Sequence, residues 1–368
     1  VSAPQPTDPG GPPPLDLRHH RSRNFALECG VVLDEVDQAY TLQGEINAQG
    51  DNVVLLFHSL TGSADPTNTW GPLIGPGRPI DTRHLAVLAP NLLGSCYGTT
   101  RPPVGATVTP RDMVRLVERL VTDLGVRSIA LATGGSLGGM VTLEWVAEYG
   151  SRTRAAAVFA APAAHTAQAI AFNHVQRHAL ELGQASGQPE DAAAGLALAR
   201  MAAMLTYRTA DEFGARFGRN EQEPGSGWFA MQSYLDHQGR KFVERFDPAA
   251  YRTLIDAMDA HDLGRGRGGV GPALANFGGR LIGIGIPGDL LYLPSDVRAW
   301  VDAAPRAEYL EICSRHGHDA FLLETEQVGA VIRDVFRGPA SDAETGGPPA
   351  PSRSLRRPDP IRAAAIAS

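Results

Sequence analysis

The chain has 368 residues, 43% of them apolar, and a formal net charge of −7. That allows a sizeable core in one large domain or two small ones, and it excludes nucleic-acid binding, because no basic stripe is available to displace counterions from phosphates. Three cysteines, Cys29, Cys96 and Cys313, have the spacing of neither a disulfide framework nor a zinc site, which points to a reducing cytoplasm, and no run of 18 apolar residues is present to span a membrane.

In chain order, residues 1–22 are rich in Pro and Gly and predict a disordered tail, without the apolar centre of a secretory signal. Phe25 to Ala48 reads as two strands that begin a sheet. Asn52-Val-Val-Leu-Leu-Phe-His58 is a continuous apolar run, the mark of a strand buried on both faces. Leu85 to Pro90 is the next strand. Pro110 to Leu124 is a helix, with Thr109 as N-cap, Pro110 at its first position and Gly125 as its stop. Ser128 to Thr133 and Ala155 to Ala160 are strands, with a helix from Met140 between them. From 165 to 275 strand runs give way to Ala-rich helical segments, too long for one crossover, which predicts an inserted helical lid. Arg280 to Ile286 and Ala307 to Ile312 return to strand, Val297 to Ala304 is a helix, and Ala320 to Phe336 closes the fold as one helix. Residues 338–368 predict a second disordered tail. The alternation implies an α/β core, 23–164 plus 276–337, with a mostly parallel sheet and helices on both faces.

Chemistry concentrates at Leu131-Ala-Thr-Gly-Gly-Ser-Leu-Gly-Gly-Met140. Gly134-Gly-Ser-Leu-Gly138 fits G-x-S-x-G between a strand and a helix, the turn that exposes a serine nucleophile at the top of an α/β-hydrolase sheet. An ordinary Gly-rich turn has the same composition, so the partners decide. In this fold they follow in the order nucleophile, acid, histidine. Asp289, just past the Leu281–Ile286 strand, is the expected acid; Asp296, seven residues on, is better placed as a helix N-cap. In Ser314-Arg-His-Gly-His-Asp319 two histidines compete. His318, beside the helix start, is preferred, and His316 reads as a solvated loop residue. The N–H groups of Leu137 and Leu60 are the expected oxyanion donors. His58 precedes the serine and more simply orders its own loop.

Several stretches together resemble the homoserine O-acetyltransferase family: Gly134–Met140 leading to Leu143-Glu-Trp145, His58-Ser-Leu-Thr-Gly62, Gly317-His-Asp-Ala-Phe-Leu322, Leu73–Asp81, Asn91–Gly98, Ile170–Arg177 and Ser233–Gly239. The resemblance spans about 25 to 335. It implies an α/β-hydrolase fold, a homodimer built through the lid, and acetyl transfer from acetyl-CoA to L-homoserine in methionine synthesis. By motif position it makes Ser136, Asp289 and His318 the triad and Asp319 a ligand for the substrate amino group. Acetyl-CoA is then a co-substrate; no permanently bound cofactor and no metal are expected, since neither GxxxxGK[ST] nor GxGxxG is present.

For the substrate carboxylate, Gly195 to Met204 is apolar all round and predicts a buried helix. Arg200 within it needs an anionic partner, either a bidentate substrate carboxylate or an internal acid; Arg208 is the second candidate. Tyr234 reads equally as a pocket hydroxyl or as lid packing. The chain departs from the family after Gly98-Thr-Thr100, where Arg101-Pro-Pro-Val-Gly-Ala-Thr-Val-Thr-Pro110 replaces a longer loop and sets Arg101 near the expected mouth. Leu137 stands where Met is common. The departure leaves room for L-serine, succinyl-CoA or a secondary metabolite as partner substrates, or for an esterase.

Overall fold

The computed structural model describes residues 15–336. Eight strands form one sheet in the order β1-β2-β4-β3-β5-β6-β7-β8. These are β1 (Arg18–Ala26), β2 (Val32–Gln43), β3 (Val53–Phe57), β4 (Ala86–Pro90), β5 (Ile129–Gly135), β6 (Ala155–Phe159), β7 (Arg280–Gly285) and β8 (Ala307–Glu311). Strand β2 is antiparallel to both its neighbours, and β4 through β8 run parallel. Every residue of β3, β4, β5 and β6 is buried, as continuous apolar runs require of a sheet covered on both faces.

Helices α1 (Pro110–Asp123) and α2 (Leu137–Tyr149), with α9 (Pro294–Ala303), cover one face. Helix α11 (Thr325–Phe336) and the segment around Trp70 to Ile80 cover the other. Helix α1 starts as its sequence dictates: Thr109 and Asp112 cap one another reciprocally, with Pro110 in the first turn.

Between β6 and β7 stand the lid helices: α3 (Ala167–Gln184), α4 (Pro189–Tyr207), α5 (Ala210–Phe217), α6 (Ala230–Val243), α7 (Pro248–Asp259) and α8 (Val270–Leu274). The segment after α7 is locked to the core. Glu144 of α2, almost fully buried, accepts from Arg111 Nε at 3.3 Å and from Arg267 Nη1 at 2.6 Å, while Leu263 N–H donates to the Ala163 carbonyl.

Four expectations need correction. The disordered N-terminal tail does not reach residue 22: β1 begins at Arg18 and pairs with β2 along its whole length. Its polar side chains find partners on neighbouring elements, Arg21 with Asp37 of β2 and His20 with Asp123 of α1, and Ser22 and Phe25 turn inward. Residues 1–14 and 337–368, which cover the rest of that tail and the whole C-terminal one, lie outside the described residues. The closing helix is two, α10 (Ala320–Leu323) and α11, broken at Glu324, whose carboxylate accepts from Ser314 Oγ at 2.6 Å. Helix α4 is not buried all round. Leu198 and Leu205, seven residues apart and therefore on one face, are about half exposed. Asp296 is not itself the N-cap of α9. It sits in the third position and accepts from the N–H of Leu293, which is the cap. Among the described residues no helix is long and apolar enough to cross a membrane.

Candidate active site

Strand β5 runs into α2 through Ser136, whose backbone has φ 58° and ψ −125°. That conformation is costly for a residue with a Cβ and persists only where its surroundings impose it. They do so here. Ser136 N–H donates to the Phe159 carbonyl at 3.0 Å. A Cβ on Gly138 would overlap the Phe57 carbonyl oxygen, and one on Gly135 would overlap the Phe321 ring. Small residues on both sides thus let the turn close against β3 and against the loop that carries His318.

His318 and Asp289 meet in the buried interior, with Nδ1 2.7 Å from Asp289 Oδ2. The second carboxylate oxygen accepts from the N–H groups of Leu291 at 2.8 Å and Tyr292 at 3.0 Å. A carboxylate can only accept, so the imidazole proton lies on Nδ1 and the lone pair on Nε2. Nε2 is buried with no hydrogen-bond partner among the described residues, Ser136 Oγ included. The His318 ring contacts Phe321 edge-on, 5.7 Å between centroids, and the same Phe321 ring closes on Gly135 beside the serine. Burial works to lower the His318 pKa, but the charge of Asp289 and its hydrogen bond outweigh burial and raise it. An imidazole held in this tautomer by a carboxylate is the acid–base half of a serine triad; no hydrogen bond joins it to Ser136 in this structure.

The loop after β3 is held from two sides. His58 Nε2 accepts from Leu92 N–H at 3.0 Å, so its proton lies on Nδ1, which donates to the Ser59 carbonyl at 2.8 Å. Burial pushes the His58 pKa down to about 4, which keeps the ring neutral. From the lid, Arg245 donates to the Thr61 carbonyl at 3.0 Å and to Tyr97 Oη at 3.1 Å. Among the described residues no protein acceptor engages the N–H of Leu60 in this loop or that of Leu137 at the start of α2.

The lid brings Arg200, Tyr207 and Arg208 over the base. Tyr207 stacks on His318 at 5.8 Å and 28°. Arg200 is half-buried, against the expectation of a fully buried guanidinium, and it makes no ion pair among the described residues. It lies instead over the Tyr207 ring at 5.4 Å and the Phe242 ring at 5.1 Å. Arg208 binds Asp319 at 3.1 Å and Glu212 at 3.1 Å. Burial raises the Asp319 pKa against the opposing charges of Arg208, His318 and Arg200. His316 is no solvated loop residue: its Nδ1 lies 3.1 Å from Glu212 Oε2, and the ring is half-buried.

The remaining two expectations fall outside this cluster. Tyr234 packs on Phe217 at 4.9 Å, on Phe213 at 6.5 Å and under Arg216 at 4.8 Å, all of them lid residues. Arg101 is exposed and donates to Asp247 Oδ1 at 2.7 Å, the N-cap of α7. Tyr207, Tyr292 and Arg245 had no motif to mark them. Their roles come from contacts between distant parts of the chain; for Tyr292 the local sign was an aromatic inside an apolar stretch, and Arg245, among charged neighbours, had none.

A family model for the α/β-hydrolase fold matches residues 52–245. The chain is 39% identical over 343 residues to a homoserine O-acetyltransferase of Chlorobium chlorochromatii, covering 88% of this chain and 96% of that one. It is 42% identical over 352 residues to one of Thermus thermophilus, covering 86% and 90%. A solved homoserine O-acetyltransferase of Staphylococcus aureus superposes with a TM-score of 0.76 at 28% identity, over 90% of this chain and 98% of that one. With its strained serine turn, its buried Asp289–His318 pair and these relatives along nearly its whole length, the chain belongs to the homoserine O-acetyltransferase family of the α/β-hydrolase fold.

Proposed function

We propose that the protein is a homoserine O-acetyltransferase that moves an acetyl group from acetyl-CoA to the L-homoserine hydroxyl through an acetyl-serine, as a step toward methionine. The observation that carries this reading is the His318 base, hydrogen-bonded to Asp289 and with no other hydrogen-bond partner for its ring among the described residues, beneath a lid in a chain about 40% identical to named homoserine O-acetyltransferases. Ser136 Oγ attacks the thioester carbonyl while His318 Nε2 takes its proton. The N–H groups of Leu137 and Leu60 stabilise the oxyanion, and the CoA thiolate leaves with that proton. The homoserine hydroxyl then enters, loses its proton to His318 and attacks the acetyl-serine, which regenerates Ser136.

The acceptor is a zwitterion and needs one group of each sign. Arg200 takes the carboxylate; its position on two aromatic faces holds the guanidinium fork in one orientation. Asp319, beside the base, takes the ammonium. Tyr234, tied into lid packing by Phe213, Phe217 and Arg216, takes no part in holding the acceptor. Arg101 secures the shortened loop to the lid through Asp247 and does not select the acceptor.

Two copies associate through α3 and α4, which lie side by side with Val175 and Leu182 on one and Leu198 and Leu205 on the other exposed. Such a face on a soluble chain marks an interaction site; a Leu198→Glu, Leu205→Glu variant that sediments like the wild type refutes this assignment. The three cysteines are unpaired, which supports a place in the reducing cytoplasm, where acetyl-CoA is available.

Thiol release tests the function. Acetyl-CoA or succinyl-CoA is incubated alone, with L-homoserine or with L-serine. Release with acetyl-CoA that requires homoserine is expected. Release that ignores the acceptor makes the protein a hydrolase, and release only with serine or only from succinyl-CoA overturns the acceptor or the donor.

A further inference from the structure

Three residues beyond Asp289 lies Tyr292, completely buried. Its backbone N–H donates to Asp289 Oδ1, and its ring stands edge-on to His318, 5.4 Å between centroids at 71°. One residue therefore touches both the acid and the base. A buried phenol needs a partner for its hydroxyl. The partner is His165, whose Nε2 lies 2.9 Å from Tyr292 Oη. On the far side of that imidazole, Nδ1 is 2.9 Å from Asp259 Oδ1 at the end of α7. The carboxylate must accept, so Nδ1 carries the proton and Nε2 receives the Tyr292 hydroxyl proton. Asp259 is itself held by Asn173 at 2.8 Å and by Arg177, both on α3. Burial works to raise the Asp259 pKa, but those bonds outweigh it and keep the group charged.

We infer that His165 and Tyr292 are positioning residues for the base: the chain Asp259–His165–Tyr292 anchors the tyrosine ring as the wall that keeps His318 aligned on Asp289. The inference rests on the triad of the proposed function and adds to it a second, non-reacting His–Asp pair through which the lid braces the catalytic one. Tyr292 meets the triad only through its backbone N–H on Asp289 and its ring edge-on to His318, and neither residue gives or takes a proton in the reaction. The polar groups facing His318 are Asp289, Asp319, Tyr207 of α4 and Tyr292. Those facing His165 are Asp259 and Tyr292, with His261 beside them; the His165 N–H donates to the His261 carbonyl.

Misalignment of a base by a fraction of an ångström costs rate without costing substrate affinity. p-Nitrophenyl acetate is the probe, because nitrophenol release reports acetylation of Ser136 whatever the natural donor and acceptor. Tyr292→Phe and His165→Leu should lower kcat by about tenfold to a hundredfold, leave KM within about twofold, and move the acid limb of the kcat/KM profile to lower pH as the Asp289 contact loosens. His165→Gln, whose amide can both donate to Asp259 and accept from Tyr292, should recover most of the rate. Tyr292→Phe removes a single oxygen and decides the matter even if His165→Leu does not fold. A folded Tyr292→Phe enzyme with the wild-type kcat and an unmoved acid limb overturns the inference, and so does a His165→Gln enzyme as impaired as His165→Leu. A failed acceptor panel with normal p-nitrophenyl acetate turnover would touch only the choice of acceptor. Full turnover by Ser136→Ala would remove the triad, and this brace with it.

Discussion

Replacing Asp289 by Asn changes one atom and separates the two jobs of that carboxylate. Oδ1 accepts from two backbone N–H groups, Leu291 at 2.8 Å and Tyr292 at 3.0 Å, and Oδ2 accepts from His318 Nδ1 at 2.7 Å. The amide cannot turn its NH₂ toward the two N–H donors without opposing donor to donor twice. Its oxygen therefore stays at the Oδ1 position and its nitrogen faces His318. That nitrogen donates, so His318 must present a lone pair on Nδ1 and carry its proton on Nε2. The ring keeps its place but can no longer take the Ser136 proton. The same wrong-tautomer change in the serine-protease template lowers kcat by about 10⁴, about 5.4 kcal/mol of barrier. The expected result for Asp289→Asn is a comparable loss in acetyl-CoA thiol release, with a thermal midpoint near that of the wild type because the loop bonds survive. Asp289→Ala, in contrast, orphans two buried N–H groups at about 1–3 kcal/mol each and should unfold measurably earlier. A loss below tenfold for the folded Asn variant would refute the tautomer argument, and with it the assignment of Asp289 as the orienting acid.

Arg200→Ala should raise the acceptor KM and lower kcat/KM for homoserine by about 2–4 kcal/mol, with p-nitrophenyl acetate acylation unchanged; an unchanged acceptor KM would return Arg200 to a packing role. Glu144→Ala leaves the Arg111 and Arg267 guanidinium groups without their buried carboxylate and should cost about 3–5 kcal/mol of stability in urea unfolding, whereas a cost under 1 kcal/mol would show that the cluster is relaxed by solvent. In the pH profile, His318 must be neutral to act, and burial is outweighed by Asp289 so that its pKa lies above the ordinary 6.5. The acid limb of kcat/KM should therefore fall above that value. The stability from the His318–Asp289 pair runs the opposite way, present in full below the unfolded histidine pKa and lost as pH rises through the raised one. An acid limb below 6.5 contradicts the balance of these effects.

Much of the core was legible because its signals are local. A run such as Val53–Phe57 has no polar residue to place on a solvent face, so a fully covered strand is its only stable setting. The serine turn is legible for a similar reason: Gly135 and Gly138 are where a Cβ would strike Phe321 and the Phe57 carbonyl. Strand β1 was missed because Arg18-His-His-Arg-Ser-Arg-Asn24 carries charges at nearly every position; its order comes from Asp37 and Asp123 on other elements. The helix bearing Arg200 was misjudged for the converse reason. An all-round apolar surface can be covered by a second chain as well as by the same chain, and composition does not distinguish the two. His316 failed because its partner, Glu212, lies 104 residues away.

The same non-local contacts bear on why acyl transfer can outrun hydrolysis. The acetyl-serine is open to any hydroxyl near His318, and water is always the most abundant. An acceptor wins only if its bound hydroxyl has an effective concentration well above that of the solvent, and values of about 10⁵ M or more require near-attack geometry. One helix supplies the means for this. Helix α4 places Tyr207 flat on the base, carries Arg200 against that same ring, and continues into Arg208 at Asp319. The base and the two proposed acceptor ligands, Arg200 and Asp319, are thus all tied to one lid helix: Arg200 sits on it, His318 stacks on its Tyr207, and Asp319 pairs with Arg208 at its end. Their spacing cannot drift independently, and the face of His318 covered by Tyr207 is closed to solvent. A lid joined to the base only by a flexible loop could exclude water but could not orient the acceptor. The interlocked contacts of α4 can do both, and on that ground the lid belongs to the acyl-transfer machinery as much as the triad does.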